Sequence, residues 1–201
     1  MPRIAAELES LLADVRACTL CQGAIPAPNP VLRAHPDARL LIVGQAPGTR
    51  VHASGVPWND ASGKRLREWL HMSEAQFYDI SQVAIIPMGF CYPGKGRSGD
   101  LPPRPECAPT WHQRLLQLLP NIRCTLLIGQ YAQNYYLPGA AGSLTERVQN
   151  WREHAPGCFV LPHPSPRNQL WLRRNPWFEV DLVPALRAEI QAIFATDADA
   201  T

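Results

Sequence analysis

Apolar residues follow two different spacings along this 201-residue chain. From Ile4 to Ala17 they recur every three or four positions, which predicts an amphipathic helix. Four other segments are short, continuous apolar runs, each followed by glycine or proline, which is typical of buried strands. These predicted strands are Leu40–Val43, Val83–Ile86, Cys124–Ile128 and Cys158–Leu161.

Helical spacing between and after the strands predicts further helices. Ser62 is a candidate N-cap for a helix that runs to Met72, because a serine side chain can accept from a free N–H of the first turn. Ser73 opens a short helix with Gln76 in the capping-box position. The other predicted helices are Ala108–Leu119, Gln130–Leu137 and Phe178–Phe194, and the tail from Thr196 is expected to fray.

Strands that alternate with helices predict an α/β fold, a three-layer α/β/α sandwich with a mainly parallel four-stranded sheet. We expect one domain over residues 1–201, with a core at about 38–195 and the N-terminal helix and loop, 1–37, packed on it. Ligands of such sheets bind at the carboxyl ends of the strands. The segments there are GQAPG (44–48), PMGFCYPGKGRSGDLPP (87–103) and HPSPRN (163–168).

Composition places the chain among ordinary globular proteins, with 46% hydrophobic and 18% charged residues. It contains no run of 18 apolar residues and no apolar signal core near its start, so no membrane association is expected and a cytoplasmic location is predicted. The six cysteines are then expected as thiols or metal ligands. A net charge of +2 is too small to indicate a polyanionic partner by itself.

The segment LPHPSPRN (161–168) carries the most distinctive chemistry. Prolines at every second position fix φ and remove N–H donors, which predicts a stiff, extended segment that holds His163 still. A fixed imidazole can donate a hydrogen bond to a developing oxyanion. The alternative is a structural proline corner. Trp58, in GVPWNDASG (55–63), is either a stacking platform for a flat ligand or a core residue.

Together, GQAPG, the G-x-P-aromatic segment at 55–58 and HPSPRN resemble the uracil-DNA glycosylase superfamily over about residues 40–168. GFCYPGKGRSGDLPPRPEC and LLIGQYAQNYYL resemble a bacterial uracil-DNA glycosylase-like subgroup related to the iron-sulfur branch. The resemblance implies a monomeric repair enzyme that acts on duplex or single-stranded DNA. It would flip out uracil or another deaminated base and hydrolyse the N-glycosidic bond.

The resemblance also implies roles for individual residues. His163 would stabilise the oxygen of the leaving base, Trp58 would stack on the base, and Gln45 would line the pocket floor. Contacts with DNA would come from Lys95 and from the end of the HPSPRN segment, namely Ser165, Pro166, Arg167 and Asn168. Phosphate contacts are also expected from the basic residues near the site, which are Lys64, Arg65, Arg97, Arg173 and Arg174.

Two positions depart from the pattern of the family. Ala46 occupies the place where some branches carry an aspartate that positions water, and Asp60 is the candidate substitute, with a loop carboxylate or a helix cap as the alternative. Pro87 occupies the place of an asparagine that reads the uracil edge in the iron-sulfur branch. A missing polar partner lowers discrimination between bases. The rival hypothesis is therefore a nucleic-acid-binding protein that keeps the pocket but does not excise. A third possibility, an α/β hydrolase of small nucleosides, has no support because the sequence contains no G-x-S-x-G motif.

The cysteine spacing resembles the ligand set of the iron-sulfur branch. Cys18 and Cys21 form a CxxC motif, and Cys91 and Cys107 are separated by fifteen residues. The resemblance implies a structural [4Fe–4S] cluster on these four thiolates, with zinc or free cysteines as alternatives. Cys124 and Cys158 lie in predicted strands and are expected as packed thiols.

Overall fold

Four short apolar runs form a parallel sheet at the centre of the molecule. The computed structural model describes residues 2–97, 99–139 and 141–195. Within them the strands are β1 (Leu40–Val43), β2 (Val83–Ile85), β3 (Cys124–Ile128) and β4 (Cys158–Leu161), in the order β2-β1-β3-β4. Almost every strand residue is buried, because helices cover both faces of a parallel sheet.

The register aligns the ends of the strands. Leu40 of β1 pairs with Val83 of β2 and with Cys124 of β3, and Thr125 of β3 pairs with Cys158 of β4. From β1 the chain moves first to one side of the sheet and then back across it, so the direction of winding reverses beside β1. Such a reversal opens a crevice at the carboxyl ends of the strands.

Helices of about three turns cover the sheet, and shorter ones connect the elements. The helices are α1 (Pro2–Arg16), α2 (Thr49–Ser54), α3 (Ala61–Leu70), α4 (Glu74–Phe77), α5 (Cys107–Gln117), α6 (Gln130–Tyr136), α7 (Leu144–Gln149), α8 (Gln169–Arg174) and α9 (Val183–Ala195). Because crossovers between parallel strands are right-handed, the strand order puts α3 on one face and α5 and α6 on the other. Because α9 packs on α3 and α1 packs on α5, both faces are covered and the three-layer α/β/α prediction is confirmed.

Some local predictions were wrong at the ends of the helices. Ser62 lies inside α3, and the N-cap is Asp60, whose extended backbone lets its carboxylate accept from the Gly63 N–H at 2.8 Å. Ser73 does cap α4, by accepting from the Gln76 N–H. The final helix begins with a π-helical turn, Phe178–Leu182, that leads into α9. The predicted frayed tail from Thr196 lies outside the described residues.

The segment LPHPSPRN is only partly extended. Residues 162–165 follow β4 without regular structure, but Pro166–Asn168 form one 3₁₀ turn that continues into α8. Proline is compatible with the first position of a helical turn, and the Ser165 hydroxyl accepts from the Arg167 N–H at 3.2 Å. The prediction of an extended segment was therefore wrong for its last three residues, because the Ser165 cap favours a turn there.

One hydrophobic cluster joins the elements. The apolar side of α1, formed by Leu8, Leu11, Leu12 and Val15, belongs to the same cluster of buried side chains as the four strands and α9. An ion pair between Asp14 and Arg114 also lies between α1 and α5, at 3.9 Å. Among the described residues, no helix combines the length and the apolar character needed to cross a bilayer. A single domain with an N-terminal helix packed on the core is our proposal for the chain.

Candidate active site at the carboxyl ends of the strands

The predicted pocket residues meet around one cavity, here called the strand-end cavity. Polar and aromatic lining comes from the segments that follow β1 and β4, and the apolar lining includes Pro87 after β2 together with Val31, Val51 and Ile85. The predicted residues that the structure brings together there are Gln45, Ala46, Trp58, Asp60, Pro87 and His163. Val31 had no sequence signal, because it lies in a proline-rich loop without periodicity.

The loop after β1 lies against the indole of Trp58. A Cβ added at Gly44 would lie only 2.8 Å from Trp58 Cζ2, so a side chain at this position would displace the ring. Trp58 itself has a φ of 57°, in the left-handed region that bulky residues rarely adopt. A backbone conformation of this kind costs about 1–3 kcal/mol and persists only where neighbouring contacts enforce it.

Contacts on both sides of Trp58 enforce that conformation. The Tyr78 hydroxyl donates to the Pro57 carbonyl at 2.9 Å. A Cβ added at Gly63 would lie 1.7 Å from the Trp58 carbonyl oxygen, so the first turn of α3 directly abuts the Trp58 peptide. The indole is consequently held beside the His163 ring, with a centroid distance of 5.6 Å and an interplanar angle of 32°.

His163 follows β4 and is fixed through the backbone of its loop. Its carbonyl accepts from Asn168 Nδ2 at 2.7 Å, and the Ser165 carbonyl accepts from Arg65 Nη1 at 3.1 Å. Burial lowers the pKa of His163, and the nearby Asp60 carboxylate opposes that shift. The imidazole is therefore neutral at neutral pH and keeps one N–H to donate. Asn168 and Arg65, predicted as DNA contacts, hold this loop in place.

Asp60 is a helix cap, which is one of the alternatives that the sequence left open. Its Oδ1 accepts from the Gly63 N–H and caps α3, and its side chain also lines the strand-end cavity. Within the described residues, no hydrogen-bond partner is found for its second carboxylate oxygen. The cap fixes the carboxylate beside His163, which leaves Oδ2 able to accept a hydrogen bond from a water molecule or a ligand.

A wider depression, here called the outer groove, continues from the strand-end cavity. Its rim includes Lys95, Ser165 and Arg167, three of the predicted DNA contacts, together with Asp100. Lys95 and Asp100 pair across a short antiparallel bridge in the loop after β2. Arg167 reaches toward that loop, since its Nη1 lies 3.3 Å from the place of a Cβ on Gly99. Pro166 is exposed at the edge of this region.

The four cysteines of the predicted cluster line a second cavity, here called the cysteine cavity. Cys18, Cys21, Cys91 and Cys107 share it with the largely apolar side chains of Leu20, Pro28, Pro30, Phe90 and Trp111. Among the described residues, no group of three or more His, Cys, Asp or Glu side chains is arranged so that it could hold a metal ion. A cubane cluster spreads its thiolates more widely than one tetrahedral ion does, so this finding is compatible with a cluster.

The surroundings of the thiols suit the binding of a metal or cluster that prefers soft sulfur ligands. The Phe90 N–H donates to Cys107 Sγ at 3.4 Å, and the backbone of Asn29 donates to Cys91. Burial raises the pKa of Cys91, and it raises the pKa of Cys107 to about 12. Thiols in such surroundings ionise only when a positively charged metal or cluster binds, so this binding would release protons. Cys124 and Cys158 lie in β3 and β4, outside this cavity, and Cys124 is fully buried.

Comparison with known proteins agrees with this geometry. The model of the uracil DNA glycosylase superfamily matches residues 33–187, more than half of the chain. The chain belongs to the uracil-DNA glycosylase superfamily. The matched range contains every residue named for the strand-end cavity except Val31, and it contains Cys91 and Cys107 but not Cys18 and Cys21.

Two similar proteins are named Type-4 uracil-DNA glycosylase. The protein from Thermotoga maritima is 27% identical over 164 residues, which is 79% of this chain and 82% of that protein. The protein from Sulfurisphaera tokodaii is 26% identical over 134 residues, which is 64% of this chain but only 57% of that protein. These matches support the resemblance to the iron-sulfur branch that the cysteine spacing indicated.

The close approach of α3 to Trp58 gives a first prediction. Gly63→Ala should destabilise the fold, although alanine favours helices, because its Cβ would overlap the Trp58 carbonyl. We expect a loss of about 1–3 kcal/mol, the size typical of overpacking. Gly157→Ala is the matched control, since its Cβ would meet nothing closer than 3.7 Å. Urea unfolding measures both, and equal stability of the two variants would refute the proposed restraint on Trp58.

Proposed function

We propose that this protein flips uracil or another deaminated base out of DNA and hydrolyses its N-glycosidic bond. One observation carries the proposal: His163, Asp60 and the Trp58 indole surround a single cavity at the end of an open groove. Membership of the uracil-DNA glycosylase superfamily and the names of the similar proteins support it. A base inside a duplex cannot reach such a cavity, so flipping must come before the chemistry.

His163 is proposed to stabilise the leaving base. Cleavage of the N-glycosidic bond transfers negative charge onto the base, and a donor already in place stabilises that charge without reorganisation. The neutral imidazole, held by its loop and by the Trp58 ring, offers such a donor. The donor binds the anion more strongly than the uncharged base, so it favours the transition state over the ground state.

Asp60 is proposed to act on the sugar side of the bond. As the base leaves, positive charge develops on the deoxyribose, and a carboxylate that is fixed by the cap of α3 and lines both the strand-end cavity and the outer groove would stabilise that charge. Its second oxygen is available to orient the attacking water. This role would replace that of the aspartate that some branches carry at the place of Ala46, whose methyl group cannot bind water.

Pro87 and Ala46 favour one second candidate function. Neither side chain offers a hydrogen bond to the base, so the cavity has fewer means to distinguish uracil from other bases. A protein of this kind would either excise several deaminated bases or bind flipped bases without excision. Oligonucleotides that contain uracil, hypoxanthine, xanthine or a thymine mismatch, treated with the protein and then with alkali, separate these two outcomes.

The cysteine cavity is proposed to hold a [4Fe–4S] cluster, with zinc as the alternative. Four thiols, two backbone N–H donors to sulfur and a largely apolar lining support this assignment. The group would link the end of α1 to a distant part of the sequence, the loop after β2 and the start of α5 that follows it. Its role would be structural, so the residues of the strand-end cavity would carry out the reaction without it.

The proposed catalytic roles give a second prediction. His163→Ala should lower the rate of uracil excision by about 10²–10³-fold, the effect of losing one oxyanion donor. Affinity for abasic DNA should change little. Trp58→Ala should weaken binding of the flipped base as well, because stacking is worth about 1–3 kcal/mol per base.

The control for these variants is His154→Ala. His154 is half-buried like His163, but it precedes β4 and so lies at the opposite end of the sheet from the cavity. Single-turnover excision and thermal melting should be measured for all three variants. A His163→Ala protein with wild-type excision and a lower melting temperature would show that His163 is only a structural residue of the proline corner.

The outer groove gives a third prediction, about salt. DNA affinity should fall steeply between low and physiological salt, because each phosphate contact releases counterions. Lys95→Ala should reduce the slope of log K against log salt by about 1. Arg123→Ala is the control, since Arg123 is exposed just before β3, at the other end of the sheet. Affinity that is independent of salt, or an equal effect of both variants, would contradict DNA binding in the outer groove.

The cysteine cavity gives a fourth prediction. Protein purified without oxygen should be brown, with absorbance near about 400 nm from thiolate-to-iron charge transfer. Cys91→Ser should lose the colour and lower stability, because a missing ligand releases two distant segments. Cys158→Ser is the matched control, half-buried but outside the cavity. Colourless protein that contains zinc would support the alternative, and protein without either metal would refute the proposal.

A further inference from the structure

His112 is a buried polar residue that neither the proposed reaction nor the cysteine site uses. It lies on α5 with only 1% of its surface exposed. Both ring nitrogens have partners: Nε2 is 3.0 Å from the Pro87 carbonyl oxygen, and Nδ1 is 2.5 Å from the Tyr136 hydroxyl. The ring also stacks on Phe90, with an interplanar angle of 7°. A buried imidazole with this many restraints has one orientation.

The partners also determine where its proton lies. The Pro87 carbonyl can only accept, so Nε2 must carry the hydrogen, and Nδ1 then accepts from the Tyr136 hydroxyl. Burial lowers the pKa of His112 to about 4, which agrees with a neutral ring. His112 therefore acts as a fixed link between the hydroxyl on α6 and the wall of the strand-end cavity.

Pro87 needs such a link because of its position. The backbone N–H groups on either side bind the neighbouring strand and loop: Ile86 donates to Ile42, and Met88 donates to Gly44 at 2.9 Å. An N–H at position 87 would point to the other side, as that of Ile85 does when it donates to the Arg33 carbonyl at 2.7 Å, but proline has no N–H to donate there. The hydrogen bond from His112 to its carbonyl is the polar anchor that the described residues provide for it.

The geometry points to His112 as the positioning residue that fixes Pro87 in the wall of the strand-end cavity. This inference rests on the proposed function, because it assigns a purpose to a wall that a base would contact. His112 touches no ligand itself. Its effect is to fix the position of the Pro87 ring. This position determines how well a bound base is aligned with His163 and Asp60.

Three variants test the two hydrogen bonds of His112 and its ring stacking separately. His112→Phe keeps a ring for Phe90 but removes both hydrogen bonds. His112→Gln keeps a donor for the Pro87 carbonyl, and Tyr136→Phe keeps the histidine but removes the donor to Nδ1. Excision of uracil from a duplex should be measured well below the melting temperature of each variant. His112→Phe should lower kcat by about tenfold to a hundredfold, the effect of misplacing reacting groups by about 1 Å.

The expected pattern differs from that of a residue needed only for folding. KM should change little, because the outer groove holds the DNA, while His112→Gln should recover most of the lost kcat and Tyr136→Phe should be intermediate. Crystal structures of the wild type and of His112→Phe should show the Pro87 ring displaced in the variant. A His112→Phe protein that melts earlier but keeps its kcat and its Pro87 position would overturn the inference.

The two proposals can fail separately. If the wild type excises no base, the proposed function fails, and the position of Pro87 in the two crystal structures still decides whether His112 fixes this wall. If the wild type excises uracil and His112→Phe matches it in kcat, the proposed function stands and the role of His112 fails.

Discussion

The site depends on backbone hydrogen bonds that join the loops at the carboxyl edge of the sheet. Beyond the ends of β1 and β2, Met88 donates to the Gly44 carbonyl and Gly89 donates to the Gln45 carbonyl. Beyond β3, the Gly129 N–H donates to the Leu161 carbonyl at the end of β4. Because these bonds continue the pairing of the strands, loops that are far apart in sequence keep fixed positions around one cavity.

Helix α6 supports the same edge of the sheet through buried hydrogen bonds. Gln133 is fully buried and donates from Nε2 to the carbonyls of Leu127 and Leu161, at 3.3 and 3.0 Å. Three residues later, Tyr136 contacts His112, which holds Pro87. One short helix thus supports both the strand that leads to His163 and the wall formed by Pro87. Buried polar groups that are paired in this way restrict a structure to one arrangement.

Sequence patterns predicted the strands and the cavity because both have strong local signals. Each strand is a short apolar run followed by glycine or proline, and His163, Trp58 and Gln45 lie in segments with distinctive composition. The short helices α2, α7 and α8 were missed, since six residues are too few to establish a helical period. The Asp60 cap was not assigned over Ser62 because both residue types favour N-caps, and only the backbone conformation decides between them.

The contacts that hold the site were harder to predict than the site itself. Arg65 was expected to bind phosphate, but it donates to the Ser165 carbonyl one hundred positions away in the sequence. The contact of His112 with Pro87 likewise joins α5 to a loop twenty-five positions earlier. Such pairs leave no periodic pattern, because they depend on how the layers pack and not on local propensity.

The most direct test of this account is a crystal structure of the protein with duplex DNA that contains 2′-fluoro-2′-deoxyuridine, a nucleotide whose glycosidic bond resists cleavage. We predict that the uracil lies in the strand-end cavity, against Trp58 and with a base oxygen within hydrogen-bond distance of His163. The DNA backbone should follow the outer groove past Lys95 and Arg167. A base that remains stacked in the duplex, or DNA bound on another face of the protein, would contradict the account.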